Sequence, residues 1–459
     1  MPLMTAPERP LPRGVVARYA IGSLGTGGFA TLPGLVLVYY LTDTLGVAAL
    51  LAGAVVTLAK VWDVLIDPWI GERSDRARAT TGTRRTWMVV GASALPVGFV
   101  LTFAVPAGLA PAASGVWVFL AFLATATAFS LFQVPYIALP AELTQDYDGR
   151  TRLLTWRVVV LTIAILLFGA GGPEVRSAFA DEYVGYLVMA IVAGLAIGIG
   201  MLVATTTAPR GRPAPDAAPR RSLRAGYAEG LAALRRSAPF RTLLSAFVLQ
   251  GLATGLMLAG AQFVATWVLH DPRAVTFLFV ALIAPAVVFA PVWERVARRV
   301  GKERGFAYAS VVFAVAALAL VGMLWAPGAW VYLPVAVAGA AYAGMQSLPM
   351  AMLPDVISHD AREHGEGRAG SFGGVWTAGE TAGMALGATL LTLTLAVTGY
   401  VESVGSAVVE QPPAAVAGIV LSFSVLPAAL VALSLLALRR YPLRRVDIQA
   451  DAAAEAVAR

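Results

Sequence analysis

Long apolar stretches alternate with short polar ones along the whole of this 459-residue chain. Each apolar stretch has roughly the 20 residues that a helix needs to cross the hydrocarbon core of a bilayer. The pattern predicts an all-α polytopic membrane protein. Its twelve transmembrane helices are predicted over residues 15–41, 47–70, 86–107, 113–140, 153–172, 183–207, 242–269, 273–293, 305–326, 330–353, 370–399 and 413–438.

The composition agrees with a membrane protein, because 58% of the residues are hydrophobic and only 13% are charged. Soluble domains carry about 25% charged residues. The chain has no cysteine, which excludes disulfides and thiolate metal sites. Its three histidines, His270, His359 and His364, all fall in predicted loops, and no set of nucleophile, histidine and acid is visible. We therefore expect neither an enzyme nor a resident metal or cofactor.

The net charge of +7 could indicate a nucleic-acid partner, but the basic residues are concentrated in alternate connections between the apolar stretches. That distribution is typical of positive-inside topology. It predicts a protein of the cell membrane with both termini, residues 1–14 and 439–459, in the cytoplasm. The amino terminus has no short apolar core with a cleavage site, so no signal peptide is expected. The Ala, Arg, Gly and Pro bias resembles that of a GC-rich bacterial genome.

A central connection, residues 208–241, divides the chain into two sets of six predicted helices, 15–207 and 242–438. Its first part, Pro209–Pro219, is rich in Pro, Ala and Arg and predicts an extended linker. Its second part, Ser222–Ser237, has the spacing of an amphipathic helix lying at the membrane surface.

The two sets of helices resemble each other. Gln133 precedes two prolines near the end of the fourth predicted helix, and Gln346 precedes two prolines near the end of the tenth. Two six-helix halves in pseudo-symmetric repeat are the arrangement of major facilitator transporters, whose substrate site lies at mid-membrane between the halves. We therefore predict that fold.

Three charged residues interrupt the second predicted helix: Lys60, Asp63 and Asp67. Each charge at mid-membrane costs about 2.5–3.5 kcal/mol on the insertion scale, so such residues usually mark an ion or substrate path. Because the three are separated by three and four positions, they project from one face of the helix. An alternative interpretation is that the two acids only neutralise Lys60 and Arg157.

The motif Lys-x-x-Asp-x-x-x-Asp-Pro formed by these residues resembles that of the glycoside–pentoside–hexuronide:cation symporters, the melibiose permease group of the major facilitator superfamily. Weaker matches support the resemblance along the whole length of the chain: Tyr39–Asp43, Arg84–Trp87, Gln133–Tyr136 and Leu353–Asp355. The resemblance implies a secondary active transporter that couples a small organic solute to a monovalent cation by alternating access. We expect it to act as a monomer in the lipid bilayer.

In that family the two aspartates and a hydroxyl on helix four hold the coupling cation, which assigns the role here to Asp63, Asp67 and Ser130. Family members often have a polar residue before the second aspartate, and here that residue is Ile66. A hard cation needs several oxygen ligands, whereas two carboxylates can instead share a proton. Sodium and proton coupling therefore both stay open.

The residues that clamp sugars in the family are largely replaced. At those positions this chain has Gly27, Gln133, Ile137, Arg157 and Gln346, of which only Arg157 is kept. We predict substrate contacts from Arg157, Gln133 and Gln346, together with the motif residues Lys60 and Tyr136; interhelical hydrogen bonding is the alternative role for the two glutamines. The substrate is a sugar or glycoside by resemblance, or an amphiphilic, lipid-like solute. A non-transporting receptor or scaffold is the alternative of another class.

Three further residues are candidates for conformational control. Asp75 and Arg76 lie in a sequence that resembles the superfamily's signature between helices two and three, where an Asp can sit near a helix N-terminus and hold the outward-open state. Glu380 is an acid within the eleventh predicted helix and is a candidate protonation site.

Overall fold

The computed structural model describes residues 11–144, 146–209, 232, 234–364, 369–405 and 409–443. Twelve helices in these ranges are long and apolar enough to cross a membrane. In chain order they are α1 Arg13–Thr44, α2 Ala49–Thr81, α3 Arg85–Phe103, α4 Pro111–Leu143, α5 Tyr147–Ser177, α6 Glu182–Thr205, α7 Ala238–Val268, α8 Ala274–Val300, α9 Lys302–Leu324, α10 Tyr332–His364, α11 Ala369–Val397 and α12 Pro413–Leu438. The predicted all-α fold with twelve membrane-spanning helices is confirmed.

Local sequence explains several helix boundaries. Asp146 and Asp181 precede α5 and α6, and their carboxylates accept hydrogen bonds from backbone N–H groups of the first turn, at 2.7 Å and 3.1 Å. Such N-caps satisfy donors that have no partner within the helix. Between α8 and α9 the chain turns at Gly301 alone, whose φ of +96° is a conformation that glycine adopts without steric cost.

Two helices extend well beyond their predicted ends. α2 continues to Thr81 instead of residue 70, and α10 continues to His364 instead of residue 353. The predicted ends mark where the apolar sequence stops. A helix can continue past that point when its polar residues support it, as Glu72 and Arg76 do with a pair four residues apart at 2.9 Å.

The chain forms two compact units that do not follow the midpoint of the sequence. The first unit contains Met1–Pro33 and Trp62–Pro219, and the second contains Gly34–Val61 and Arg220–Arg459. The last part of α1 and the first part of α2 therefore belong to the second unit. The predicted linker lies almost entirely outside the described residues, as does most of the predicted amphipathic helix, and the predicted domain boundaries remain predictions.

The internal packing of the two halves repeats. In the first half α3 packs along α4 and α6, while the first turns of α1 pack on α5 and α6. In the second half α9 packs along α10 and α12, while α7 packs on α11 and α12. Pairs of prolines five residues apart recur within α4 and α10, at Pro135 and Pro140 and at Pro349 and Pro354. The predicted repeat of six-helix halves is confirmed.

Candidate functional site

The two aspartates of the predicted cation site lie on α2, within the first unit. Asp63 is buried, with 8% of its surface exposed, and Asp67 is half-buried one turn further on. Pro68 follows directly and is an internal proline of this continuous helix. Because proline has no N–H, the turn that carries Asp67 makes one backbone hydrogen bond fewer than a regular turn.

Two contacts fix the register of α2 against α4. The Trp62 indole Nε1 donates to Thr127 Oγ1 at 2.9 Å. Further along, Gly71 lies against Val134, because a Cβ placed on this glycine would be 3.6 Å from Val134 Cγ1. The pairs differ by 65 and 63 positions, so the two helices run in the same direction and advance together.

The same offset gives the depth of the third predicted ligand relative to the aspartates. Ser130 is buried, with 2% of its surface exposed, and lies between Thr127 and Val134 on α4. By the same offset it lies at the depth of residues 65–67 on α2, between Asp63 and Asp67, since each residue of a helix advances about 1.5 Å. The assignment of the two carboxylates and this hydroxyl to one cation site remains a prediction.

Lys60 lies one turn before Asp63 on the same helix and is half-buried. It belongs to the segment Gly34–Val61, which is part of the second unit.

Arg157 on α5 is held over the ring of Tyr136 on α4, with 5.5 Å between the guanidinium carbon and the ring centroid. Tyr136 is fully buried, and its hydroxyl donates to the Tyr19 carbonyl at 2.8 Å and lies 3.1 Å from Ser23 Oγ. The Tyr19 ring stacks on it at 4.7 Å. These contacts hold the Tyr136 ring in the position in which it contacts Arg157. The buried Nε of Arg157 has no hydrogen-bond partner in the described ranges.

Gln133 is half-buried on α4, one turn before Tyr136. Its Oε1 accepts a hydrogen bond from Thr26 Oγ1 on α1 at 2.8 Å. This is the interhelical bond that the alternative interpretation expects, but it occupies only the acceptor of a side chain that also has two donors. Sequence reasoning did not identify Thr26 as a polar contact. The residue lies between Gly25 and Gly27 on α1.

Gly27 lies on α1, where it packs closely against α5. A Cβ at this position would be 2.7 Å from Ala164 Cβ and 3.0 Å from the Leu161 carbonyl oxygen. The backbones of α1 and α5 therefore approach too closely for any side chain here. By contrast, Ile137 on α4 is 52% exposed and presents apolar surface.

In the second unit, Gln346 and Glu380 belong to one polar neighbourhood. Gln346 Nε2 donates to the Tyr342 hydroxyl one turn earlier on α10, at 2.6 Å. Glu380 on α11 is half-buried and close enough to Tyr342 to interact with its hydroxyl electrostatically. Tyr342 was not identified from the sequence, because a lone tyrosine in an apolar helix has no distinguishing pattern.

Asp75 and Arg76 lie on the extension of α2, at the end of the helices that we call the basic end, where α2 meets α3 and α8 meets α9. Asp75 forms an ion pair with Arg84, the residue before α3. Arg84 Nε also donates to Glu142 at the end of α4 at 2.7 Å, and Arg78 pairs with the same carboxylate. Arg76 pairs with Glu72 on the exposed surface. The ion pair of Asp75 therefore joins two segments of the first unit.

The second unit has a corresponding pair at its basic end. Lys302 begins α9, and its Nζ contacts Asp355 Oδ2 on α10 at 2.6 Å. Nearby, Arg236 binds Asp360 on α10 with two hydrogen bonds, of 2.9 Å and 2.5 Å. These hydrogen bonds raise the pKa of Arg236 above its usual range, which keeps the guanidinium charged.

The family profile described as "MFS/sugar transport protein" matches residues 18–445, nearly the whole chain. The chain belongs to this family. It is 25% identical to an uncharacterized symporter of Synechocystis, over 93% of both chains, and 24% identical to the glucuronide carrier protein homolog of Escherichia coli, over 93% of this chain and 92% of the relative. It is 23% identical to the chicken sodium-dependent lysophosphatidylcholine symporter 1, over 93% and 85%.

Solved structures show the same fold at low sequence identity. The crystal structure of the nucleoside transporter NupG superposes with a TM-score of 0.67 at 12% identity, and the match covers 94% of this chain and 98% of that one. Membership in the family confirms the resemblance drawn from the α2 motif. The protein is therefore a membrane transporter of the symporter type and not an enzyme.

Proposed function

We propose that this transporter couples a monovalent cation to a small organic solute, with Asp63, Asp67 and Ser130 as the cation ligands. The observation that carries the proposal is the register of α2 against α4, fixed by Trp62–Thr127 and Gly71–Val134. This register supports the proposal, because the offset between the helices puts the buried Ser130 at the depth of residues 65–67 of α2. Carboxylates in such a place need a cation or a proton to offset their desolvation.

The ligand set suits either Na⁺ or H⁺. Sodium needs several oxygen ligands, and the two carboxylates with the Ser130 hydroxyl supply them from adjacent turns. Ile66, which stands between the acids, offers no oxygen. Two carboxylates that cannot both ionise cheaply side by side can instead share a proton. Neither cation nor solute alone would stabilise the occluded state as well as both together, and that difference is the coupling free energy.

For the solute, we propose contacts from Arg157 and Gln133 in the first unit and from Gln346 in the second. Arg157 suits an anionic or hydroxylated group, because its planar guanidinium presents several donors. A glycoside is the first candidate, in keeping with relatives such as the glucuronide carrier homolog.

A second candidate is an amphiphilic solute with an apolar chain. The close contact of α1 with α5 at Gly27 leaves no room for the acid that the family resemblance implies at this position. The exposed Ile137 offers aliphatic surface where the same resemblance implies an aromatic ring. The similarity to a lysophosphatidylcholine symporter supports this candidate.

We further propose that the basic end faces the cytoplasm, together with both termini, and that the protein works as a monomer in the cell membrane. The excess of Arg and Lys in the connections at that end supports this orientation.

Cation binding can be tested without knowing the solute, by thermal unfolding of the purified protein. NaCl should raise the Tm relative to choline chloride at equal ionic strength, or, for a proton-coupled transporter, mild acid should do so while Na⁺ has no effect. Either response should vanish in Asp63→Asn and Asp67→Asn. The matched control is Glu72→Gln, an exposed acid on the same helix, which should respond as the wild type does. An unchanged response in both Asn variants would overturn the assignment.

The two solute candidates are separated by the same measurement with ligands added. Glycosides and lysolipids are compared, each with and without the effective cation. The solute should raise the Tm further only when the cation is present. Uptake of that solute into vesicles should then be driven by the cation gradient in the wild type and be absent in Asp63→Asn. Stabilisation by a solute without any dependence on the cation would contradict coupling.

A further inference from the structure

A buried carboxylate lies at the end of the helices opposite the basic end, which we call the far end. Asp43 is 2% exposed and occupies a π-helical turn, Tyr40–Thr44, that ends α1. Its Oδ1 accepts hydrogen bonds from the Tyr400 hydroxyl at 2.5 Å and from Trp267 Nε1 at 3.2 Å. Its Oδ2 accepts one from Thr42 Oγ1 at 2.6 Å. All of these residues belong to the second unit.

The backbone around Asp43 is held to the connection between α11 and α12. Ser403 donates from its N–H to the Thr42 carbonyl at 3.1 Å and from its hydroxyl to the Asp43 carbonyl at 2.8 Å. Gly405 N–H donates to the Thr44 carbonyl at 3.0 Å. Leu45 and Val404 thereby form an isolated antiparallel β-bridge. The end of α1 is therefore held to this connection by backbone hydrogen bonds as well as by the Asp43 carboxylate.

The cluster also repeats the symmetry of the fold. α7, the counterpart of α1, ends in a π-helical turn of the same length, Val264–Val268. Asp43 and Trp267 are each the fourth residue of their π-helical turn. A hydrogen bond from Trp267 Nε1 to Asp43 Oδ1 joins the two turns. Single π-turns are rare and occur frequently at functional sites.

Three side-chain donors bind this carboxylate: the Tyr400 hydroxyl, Trp267 Nε1 and the Thr42 hydroxyl. Burial, followed by the neighbouring Asp43 charge, raises the pKa of Tyr400 far above its usual range, so the phenol keeps its proton and donates it. Moving an unpaired carboxylate into an apolar environment is very unfavourable, so the cluster is stable only when all its donors are in place. Water can replace those donors once the far end opens, which makes the contact reversible in a way that a packed apolar surface is not.

Behind this cluster, α2 and α11 approach closely within the same unit. Thr57 and Thr389 share a short hydrogen bond between their hydroxyls. One turn nearer the far end, Gly53 lies against Thr392, whose Oγ1 would be only 2.1 Å from an added Cβ. Thr57 is half-buried, so a thiol at this position should react at a background rate that rises when this region separates.

We propose that Asp43, Trp267 and Tyr400 form a latch that keeps the far end closed and must open once in each transport cycle. The latch joins the π-turns of α1 and α7 to the connection after α11 and rests on the alternating-access function proposed above. Breaking one of its hydrogen bonds would favour the state in which the far end is open.

The test uses the absence of native cysteine. Thr57→Cys alone is the background, and a membrane-impermeant maleimide is added to intact cells. Asp43→Asn should increase the rate of labelling about tenfold, which corresponds to about 1.4 kcal/mol in the closing equilibrium. Tyr400→Phe and Trp267→Phe should also increase the rate, because each leaves the buried carboxylate with one hydrogen bond fewer.

The matched control is Asp181→Asn, a far-end carboxylate that caps α6 and lies outside the latch. Asparagine is an equally good N-cap, so labelling should stay at the background rate. Each variant must elute as a single monodisperse peak, and the two donor variants keep the test informative if Asp43→Asn does not fold. Background labelling in all folded latch variants would overturn the proposal. The assay needs neither solute nor cation, so its outcome is independent of the cation-site test.

Discussion

The hydroxyl of Ser130 is the one proposed cation ligand that α4 provides. It lies at the depth of two carboxylates on the neighbouring helix, and it is buried. A bound cation that loses the Ser130 oxygen would need a water molecule in its place, and water has little access to this buried position. The serine is therefore expected to contribute to cation affinity and not only to packing.

We predict that Ser130→Ala weakens the apparent cation affinity about tenfold, equivalent to about 1.4 kcal/mol, without preventing folding. The affinity is measured from the dependence of Tm on cation concentration. Ser114→Ala is the control, because this serine is equally buried on α4 but lies sixteen residues earlier, about 24 Å along the helix. Equal affinities in the two variants would remove Ser130 from the site.

Gly27 is a second residue whose effect can be predicted from its surroundings. Gly27→Ala places a methyl group 2.7 Å from Ala164 and 3.0 Å from a backbone carbonyl. Overpacking of this kind costs about 1–3 kcal/mol. We expect a lower Tm, with partial recovery in the double variant that also carries Ala164→Gly.

The control for this prediction is Gly171→Ala on α5, where an added Cβ meets nothing within 4 Å. That change should be neutral or slightly stabilising, since alanine favours helix over glycine. If both alanine variants unfold at the wild-type temperature, the close approach of α1 to α5 is not a constraint.

At the scale of elements, the pairing of α2 with α4 decides whether the cation site forms. At the level of the site, the Trp62 indole N–H of α2 donates a hydrogen bond to Thr127 of α4. It comes one residue before Asp63 and one turn before Ser130. A change of register by one residue would rotate the two acids by about 100° away from the serine.

We predict that Thr127→Val lowers both the Tm and the cation response, because it keeps the shape of the side chain but leaves the Trp62 N–H without its acceptor. The cost of an unsatisfied donor is about 1–3 kcal/mol. Thr127→Ser retains the hydroxyl and is the matched control. A valine variant that responds to cation as the serine variant does would show that the register is held by packing alone.

At the scale of the whole molecule, the latch predicts that transport stops when the far end is fixed. Leu45 and Val404 are directly opposed in an antiparallel bridge. Opposed residues that do not exchange hydrogen bonds have Cα atoms about 4.5 Å apart, which is within the range of a disulfide.

We expect the double variant Leu45→Cys and Val404→Cys to form a disulfide under oxidising conditions and to lose uptake, which a reductant should restore. The two single-cysteine variants are the controls and should transport under both conditions. No other cysteine competes for pairing, because the chain has none. A cross-linked protein that still transports would show that this bridge does not move during the cycle.

The sequence by itself determined the features that depend on local spacing. Apolar length set the number of spans, and the repeated prolines near Gln133 and Gln346 predicted two related halves. The three- and four-residue intervals between Lys60, Asp63 and Asp67 were enough to place them on one face, since helix geometry is fixed by the backbone.

Only the tertiary structure decided the features that depend on residues far apart in the chain. Hydropathy could not show that Gly27 packs against α5 or that Trp62 fixes the register of α2 against α4. It also could not show that Asp43 reaches Tyr400, which is 357 positions away. Distances between helices are set by the packing of complete surfaces, and a linear pattern of apolar residues specifies which face is buried but not which partner buries it.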